Sequence, residues 1–269
     1  MKRLFIVGLT ISVVGFGLYG WSHRGRLRDE LDQAQRPALP RAVSIQQMHE
    51  QVKTTSTKRA LKPIAPATPQ TATSTAATAF PREVNLSIPF LLQAPKQNWA
   101  MPYQEACEEA SMLMVKSALE GVQRFTPDEG DALILDILAK EDAEHLPPDM
   151  TVAQAKTFFE TAYPAYRVTV IHGVTENALK SWLARGVPVI IPASGKELQN
   201  PNFHNGGPPY HMLVVKGYLA DGRWITNDPG TRKGADYLYE KETLLNAIHD
   251  WNGGDVVHGS SAAFVIQAK

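Results

Sequence analysis

The sequence predicts an α+β domain. Helical patterns fill its middle, strand patterns fill its end, and the last strands are joined by a tight Asp-Gly turn instead of long crossovers. Leu86–Leu92 (LSIPFLL) is a short apolar run that suits a first strand, with Pro89 confining it to an edge or a bulge. In YQEACEEASMLMVKSALEG, the positions Ala106, Ala110, Leu113, Ala118 and Leu119 trace a helical stripe that Gly121 stops, and Cys107 falls in the first turn. A second helix is expected over Asp128–Lys140 and a third from Thr151, after the Pro147-Pro148 break. RVTVIHG then alternates like a strand, ENALKSWLARG is a short amphipathic helix, and PVIIPAS is a buried strand. HMLVVKGYL and RWITNDP form two strands joined through Asp221-Gly222, a hairpin signal. YLYEKETLLNAIHDW suits a helix and SAAFVIQA a final strand.

Charge divides the chain of 269 residues in two. Its 27 basic and 27 acidic side chains cancel, yet residues 1–82 hold 12 basic and 4 acidic ones and residues 83–269 hold 15 and 23. A uniformly basic nucleic-acid binder is excluded. From Leu4 to Trp21 runs an uncharged, mostly apolar stretch of 18 residues. As a helix it would reach about 27 Å, close to the ~30 Å hydrocarbon core of a bilayer. Lys2 and Arg3 precede it and no Ala-x-Ala cleavage pattern follows, which predicts an uncleaved membrane anchor. Residues 24–53 suit a short helix around Arg26–Gln35. Thr54–Arg82 holds 8 Thr, 7 Ala, 4 Pro and 2 Ser among 29 residues, the composition of a disordered stalk. The expected organisation is therefore an anchor over 1–22, a juxtamembrane segment and linker over 23–82, and a folded domain over 83–269. The lipid bilayer becomes a partner of the N-terminal helix, and the domain is expected outside the cytoplasm.

The single cysteine, Cys107, rules out an intrachain disulfide and a tetrathiolate zinc site. Asp142-Ala-Glu-His145 lacks the histidine spacing of a zincin, and no phosphate-binding glycine motif opens a helix, so metal, nucleotide and other cofactors are not expected. What remains is Cys107 at a helix start, His211 opening a strand and Asp228 directly after the next strand. A helix N-terminus favours a thiolate through its dipole and free amides. An imidazole facing it can take and return a proton, and a carboxylate on the far ring nitrogen can fix that imidazole's orientation.

The segments IPFLLQAP, YQEACEEASMLM, HMLVVKGYLADGRWITNDPG and LKSWLARGVPVIIPAS resemble papain-like cysteine peptidases of the bacteriocin leader-processing (double-glycine leader, C39) kind, across residues 86–267. The resemblance implies a papain-like fold with a helical part packed on an antiparallel sheet, and a peptide or protein substrate. It makes Cys107 the nucleophile, His211 the base and Asp228 its orienting partner. It also suggests Gln93 as the side chain completing the oxyanion hole beside the Cys107 amide, with Gln97 and Gln104 as rivals in the same loop. One departure stands out: these peptidases commonly carry glycine after the cysteine, whereas here Glu108 and Glu109 follow it. Their charge would oppose a thiolate unless they face solvent, which is the expectation for a helical surface. The alternatives to a peptidase are an inactive surface binding module and a cysteine acyltransferase on the same fold.

Overall fold

A computed structural model describes residues 37–60 and 80–269, in which Pro40–Lys269 form one compact unit. Its helices are α1 (Ile45–Ala60), α2 (Cys107–Leu119), α3 (Pro127–Ala143), α4 (Val152–Ala162), α5 (Glu176–Leu183) and α6 (Lys241–Ala247). Its strands are β1 (Val84–Asn85), β2 (Tyr166–His172), β3 (Val189–Ala193), β4 (His211–Tyr218), β5 (Trp224–Asn227), β6 (Tyr237–Tyr239) and β7 (Ala262–Ala268). The strands form one sheet in the order β2-β7-β3-β4-β5-β6, every pair antiparallel, with β1 joined to the end of β4. This is the expected α+β class, helices first and an antiparallel sheet after.

Helix α2 explains the layering. Eleven of its residues are buried, including Ala110, Met112, Leu113, Met114 and Val115, so it is covered almost all round. It lies on β4 and β7, whose side chains are buried along nearly their whole lengths. The helices beside it start where sequence chemistry says they should. Thr126 and Glu129 form a capping box on α3 with Pro127 in its first turn, and Thr151 and Gln154 form another on α4.

Three sequence expectations change. Leu86–Leu92 is buried at Leu86, Ile88 and Leu91, but the strand here covers only Val84–Asn85. Pro89 cannot donate to a ladder, and the Ile88 carbonyl takes its hydrogen from the Asn227 side chain instead of a strand neighbour. Tyr237–Tyr239 pairs with Trp224–Thr226 as an edge strand, and the helix expected there begins only at Lys241. Aromatic side chains fit a pleated surface better than a helix.

The third change concerns the N-terminal region. The membrane-anchored, extracytoplasmic placement is corrected: no helix among the described residues is long and apolar enough to cross a membrane. The stretch Leu4–Trp21, the expected helix around Arg26–Gln35 and most of the Thr/Ala/Pro-rich segment lie outside the described residues. The described helix nearest that region, α1, is polar (IQQMHEQVKTTSTKRA) and belongs to the folded unit. Val43 pairs with the β1 segment through Val43 N–H to Asn85 O and Ser87 N–H to Val43 O, while Ile45 and Met48 enter the core.

Met48 seats on Gly186, just beyond α5. Gly186 has φ +79°, and a Cβ there would lie 2.9 Å from both Met48 Cβ and Cγ. Gly186→Ala should therefore cost about 1–3 kcal/mol of stability in denaturant unfolding. Adding Met48→Ala should cost less in that background than in the wild type, because it removes the Cγ that the new methyl crowds.

Candidate active site

The site forms where the start of α2 meets the start of β4. Cys107, the first residue of α2, is buried, and its Sγ accepts a hydrogen bond from the Met212 N–H at 3.4 Å. That amide belongs to the peptide joining His211 to Met212, so the sulfur rests on the backbone of the residue singled out as its base. His211 is held in β4 by its register with Ala193 of β3. Its Nε2 lies 2.8 Å from Asp228 Oδ1, leaving Nδ1 as the remaining ring nitrogen. Phe203 meets the ring edge-on at 5.2 Å between centroids, and a Cβ at Gly230 would come within 2.8 Å of His211 Cε1. The ring is thus clamped between an aromatic edge and a backbone that tolerates no side chain.

Asp228 follows β5 and is fully buried. Its Oδ2 accepts from Tyr239 Oη at 2.6 Å and from Asn200 Nδ2 at 3.3 Å, and Oδ1 also accepts from the Gly230 N–H at 3.0 Å. Burial alone would raise this carboxyl, but the His211 ring, with the Tyr239 hydroxyl and Gly230 amide, outweighs it and holds it below the usual range. Asn200 and Tyr239 are the supporting residues that sequence reasoning missed. Neither lies in a recognisable motif, and both reach Asp228 only because β6 and the loop after β3 fold beside the end of β5. Gly230 could have been found, since it closes the Asp-Pro-Gly turn.

Gln93 is buried with its backbone N–H on Pro229 O. Its Nε2 donates to Tyr103 O at 3.0 Å and to Gln104 O at 2.9 Å. Both amide hydrogens are therefore engaged on the turn that immediately precedes Cys107. Its rivals sit outward: Gln104 donates to Glu105 at 3.1 Å and Gln97 accepts from Arg232 at 3.2 Å, both on the exposed side of the loop. Tyr103 is tied to Asp131 of α3 through its hydroxyl, whereas Trp99 and Met101 stand exposed beside the same turn.

Glu108 and Glu109 do not face solvent; both are 0% exposed. Glu108 Oε2 lies 3.0 Å from Cys107 Sγ, and Oε1 accepts the Met150 N–H at 3.2 Å. Burial pushes the Glu108 carboxyl up to about 8. Burial, then the charges of Glu108 and Glu141, push Glu109 well above the ordinary carboxylate range. The Glu109 carboxyl meets its own backbone amide and the carboxyl of Glu141 on α3. Two facing acids in a dry site cannot both ionise. The Cys107 thiol is itself pushed up, by burial first and then by Glu108 and Glu109, with the Met212 amide acting in the opposite direction.

Residues 85–253 match the profile of the Peptidase_C39 like family. The chain belongs to that family. No curated protein matches significantly. Among solved structures it is similar to a protein described as a putative C39-like peptidase from Bacillus anthracis, at 16% identity over 70% of this chain and 99% of the other, with a TM-score of 0.46. A fragment of prointerpain A from Prevotella intermedia is similar at 12% identity over 81% of this chain and 80% of the other, with a TM-score of 0.45.

The buried acids make stability depend on pH. In the folded chain Glu108 and Glu109 keep protons that the unfolded chain gives up above its ordinary value of 4.5, so the folded state binds more protons as pH rises through that window. The stability this contributes is complete below pH ~4.5 and, for Glu108, is lost progressively up to about 8. The melting temperature should therefore fall between pH 5 and pH 8, and Glu109→Gln should flatten that fall.

Proposed function

We propose that the domain is a cysteine peptidase in which Cys107, His211 and Asp228 act as nucleophile, base and orienting carboxylate. The observation that carries this is the Cys107 sulfur lodged on the His211–Met212 peptide while His211 Nε2 is committed to Asp228. His211 Nδ1 then takes the thiol proton, and the thiolate attacks the carbonyl carbon of a peptide bond. The same ring nitrogen returns the proton to the departing amine, leaving an acyl-enzyme that water hydrolyses. Asp228 stabilises the imidazolium through a hydrogen bond on the opposite ring nitrogen.

The oxyanion of the tetrahedral intermediate falls to the Cys107 backbone N–H at the helix start, with the Gln93 amide as second donor. For Gln93 this requires one of its two carbonyl partners to be exchanged for the substrate oxygen. Trp99 and Met101, exposed beside the turn that precedes the nucleophile, offer an apolar surface suited to a hydrophobic side chain of an extended peptide.

Burial of Cys107 and the pressure of Glu108 on its thiol favour a second reading, a binding module without turnover. Hydrolysis of a fluorogenic peptide library separates the two. As a peptidase, the wild type cleaves, Cys107→Ala loses at least about 10³-fold in kcat/KM, and Asp228→Ala loses about 10²-fold or more in kcat. Cleavage that survives Cys107→Ala would remove the peptidase reading, and peptide binding without cleavage by a folded wild type would establish the binding module.

A further inference from the structure

We propose that Asn200 and Tyr239 are positioning residues of the His211–Asp228 pair, a relay of hydrogen bonds through which the loop between β3 and β4 fixes His211 with its hydrogen on Nε2 and with Nδ1 bare. The inference rests on the peptidase reading, which takes Nδ1 as the base and assigns nothing to these two side chains. The direction of each bond follows from groups that can only donate. The backbone N–H of Asn202 is one, so the Asn200 atom 3.0 Å from it is Oδ1 and the other end of that amide is the nitrogen. Asn200 Nδ2 then places its two hydrogens on Tyr239 Oη at 2.8 Å and on Asp228 Oδ2 at 3.3 Å. Tyr239 Oη, having accepted from Asn200, points its own hydrogen at Asp228 Oδ2, 2.6 Å away.

With the Gly230 N–H on Oδ1 at 3.0 Å, Asp228 meets three donors before His211 is counted. A carboxyl so surrounded is a carboxylate, and His211 Nε2, 2.8 Å from Oδ1, carries the hydrogen between them. A neutral imidazole with its hydrogen on Nε2 keeps a lone pair on Nδ1, the state that can take the thiol proton. The opposite tautomer would set a lone pair against a carboxylate. The shorter contacts run from Asn200 to Tyr239 and from Tyr239 to Asp228, and bonds in such a chain polarise one another. Asn200 therefore acts mainly through the Tyr239 hydroxyl.

All four side chains are buried, and they arrive from β4, the end of β5, β6 and the loop between β3 and β4. That loop is tied at its start, where the Ser194 N–H donates to Ala247 O at 2.8 Å, and Leu198 is buried just before Asn200. The Phe203 N–H returns to Asn200 O at 3.1 Å, so one turn sets Asn200 on the carboxylate and Phe203 against the edge of the His211 ring. The titratable groups facing Asp228 are His211 from β4 and Tyr239 from β6, with Tyr237 beside Tyr239 at 4.7 Å between ring centroids. Loss of the Tyr239 hydroxyl leaves a carboxylate with fewer donors, which takes up a proton at higher pH.

The test uses the full chain as wild type, Tyr239→Phe, Asn200→Ala and the double variant. Tyr239→Phe keeps the ring beside Tyr237 and removes the hydroxyl alone. Nitrogen NMR of the histidine-labelled wild type at pH 8 should show His211 with its hydrogen on Nε2 and none on Nδ1. In Tyr239→Phe that hydrogen should exchange with water at least about tenfold faster, as expected for a lost bond to a charged group. In peptide hydrolysis the same variant should lose about tenfold in kcat with KM within about twofold, and the acid limb of its pH profile should move up by about one unit. Asn200→Ala should move these quantities in the same direction, and the double variant should fall within about twofold of Tyr239→Phe. Losses that multiply in the double variant would make Asn200 independent of Tyr239, and an unchanged exchange rate and pH profile in Tyr239→Phe would make both residues structural; either result overturns the proposal. Should the variants fail to fold, the wild-type spectrum decides: a hydrogen on Nε2 supports the relay and a hydrogen on Nδ1 overturns it. The NMR readings use no substrate, so a chain that meets them but cleaves nothing keeps the relay and loses the peptidase function.

Discussion

The hydrogen bond from the Met212 amide to the Cys107 sulfur ties the buried helix α2 to the central strand β4, and the remaining geometry hangs on that junction. Because α2 begins at Cys107, the sulfur lies where backbone N–H groups are free and the helix dipole is positive. Because β4 begins at His211, that residue's peptide meets the sulfur while its ring is held on Asp228. Asp228 arrives from the end of the adjacent strand, and Tyr239 and Asn200 close over its second oxygen. A one-residue slip of β4 against β3 or β5 would turn His211 to the other face of the sheet and dismantle the arrangement.

The acids behind the nucleophile set the electrical character of the site. An N-terminal helical turn welcomes carboxylates, but full burial reverses the preference by penalising charge. Glu108 and Glu109 answer that penalty by remaining neutral, Glu108 against a backbone amide and sulfur, Glu109 against another acid. Asp228, equally buried, resolves the same penalty by the opposite route, with His211 and three donors to keep it charged. Carboxyls in one dry region are thus held on different sides of their ordinary titration, which is how neighbouring acids come to have separate roles.

Much of this was legible from residue order. The helical stripe after Tyr103, the helical patterns over Asp128–Lys140 and after the Pro147-Pro148 break, and the Asp-Gly turn are local signals, and local signals set α2, α3, α4 and the β4–β5 hairpin. The order of Cys107, His211 and Asp228 along a helix and two strands marked the site. Three things were hidden because they depend on distant packing. Glu108 and Glu109 read as a solvated face, since nothing in CEEAS reveals that the segments of Met150 and Tyr210 cover it. Tyr237–Tyr239 read as helix because its edge pairing to β5 is a tertiary choice. Ile45 and Met48 read as part of a linker, and only the close approach to Gly186 and the core behind it bring them inside.

If Cys107 is a nucleophile held in a substrate cleft, a peptidyl chloromethyl ketone should find it in the folded chain. The direct measurement is mass spectrometry of the native protein after brief exposure to such a ketone, followed by a crystal structure of the adduct. The expected result is one equivalent bound through Cys107 Sγ, with the His211–Asp228 hydrogen bond intact and the peptide lying past Trp99. A thiol that stays unmodified in the native chain and reacts only after unfolding would contradict it, and would make Cys107 a buried structural residue.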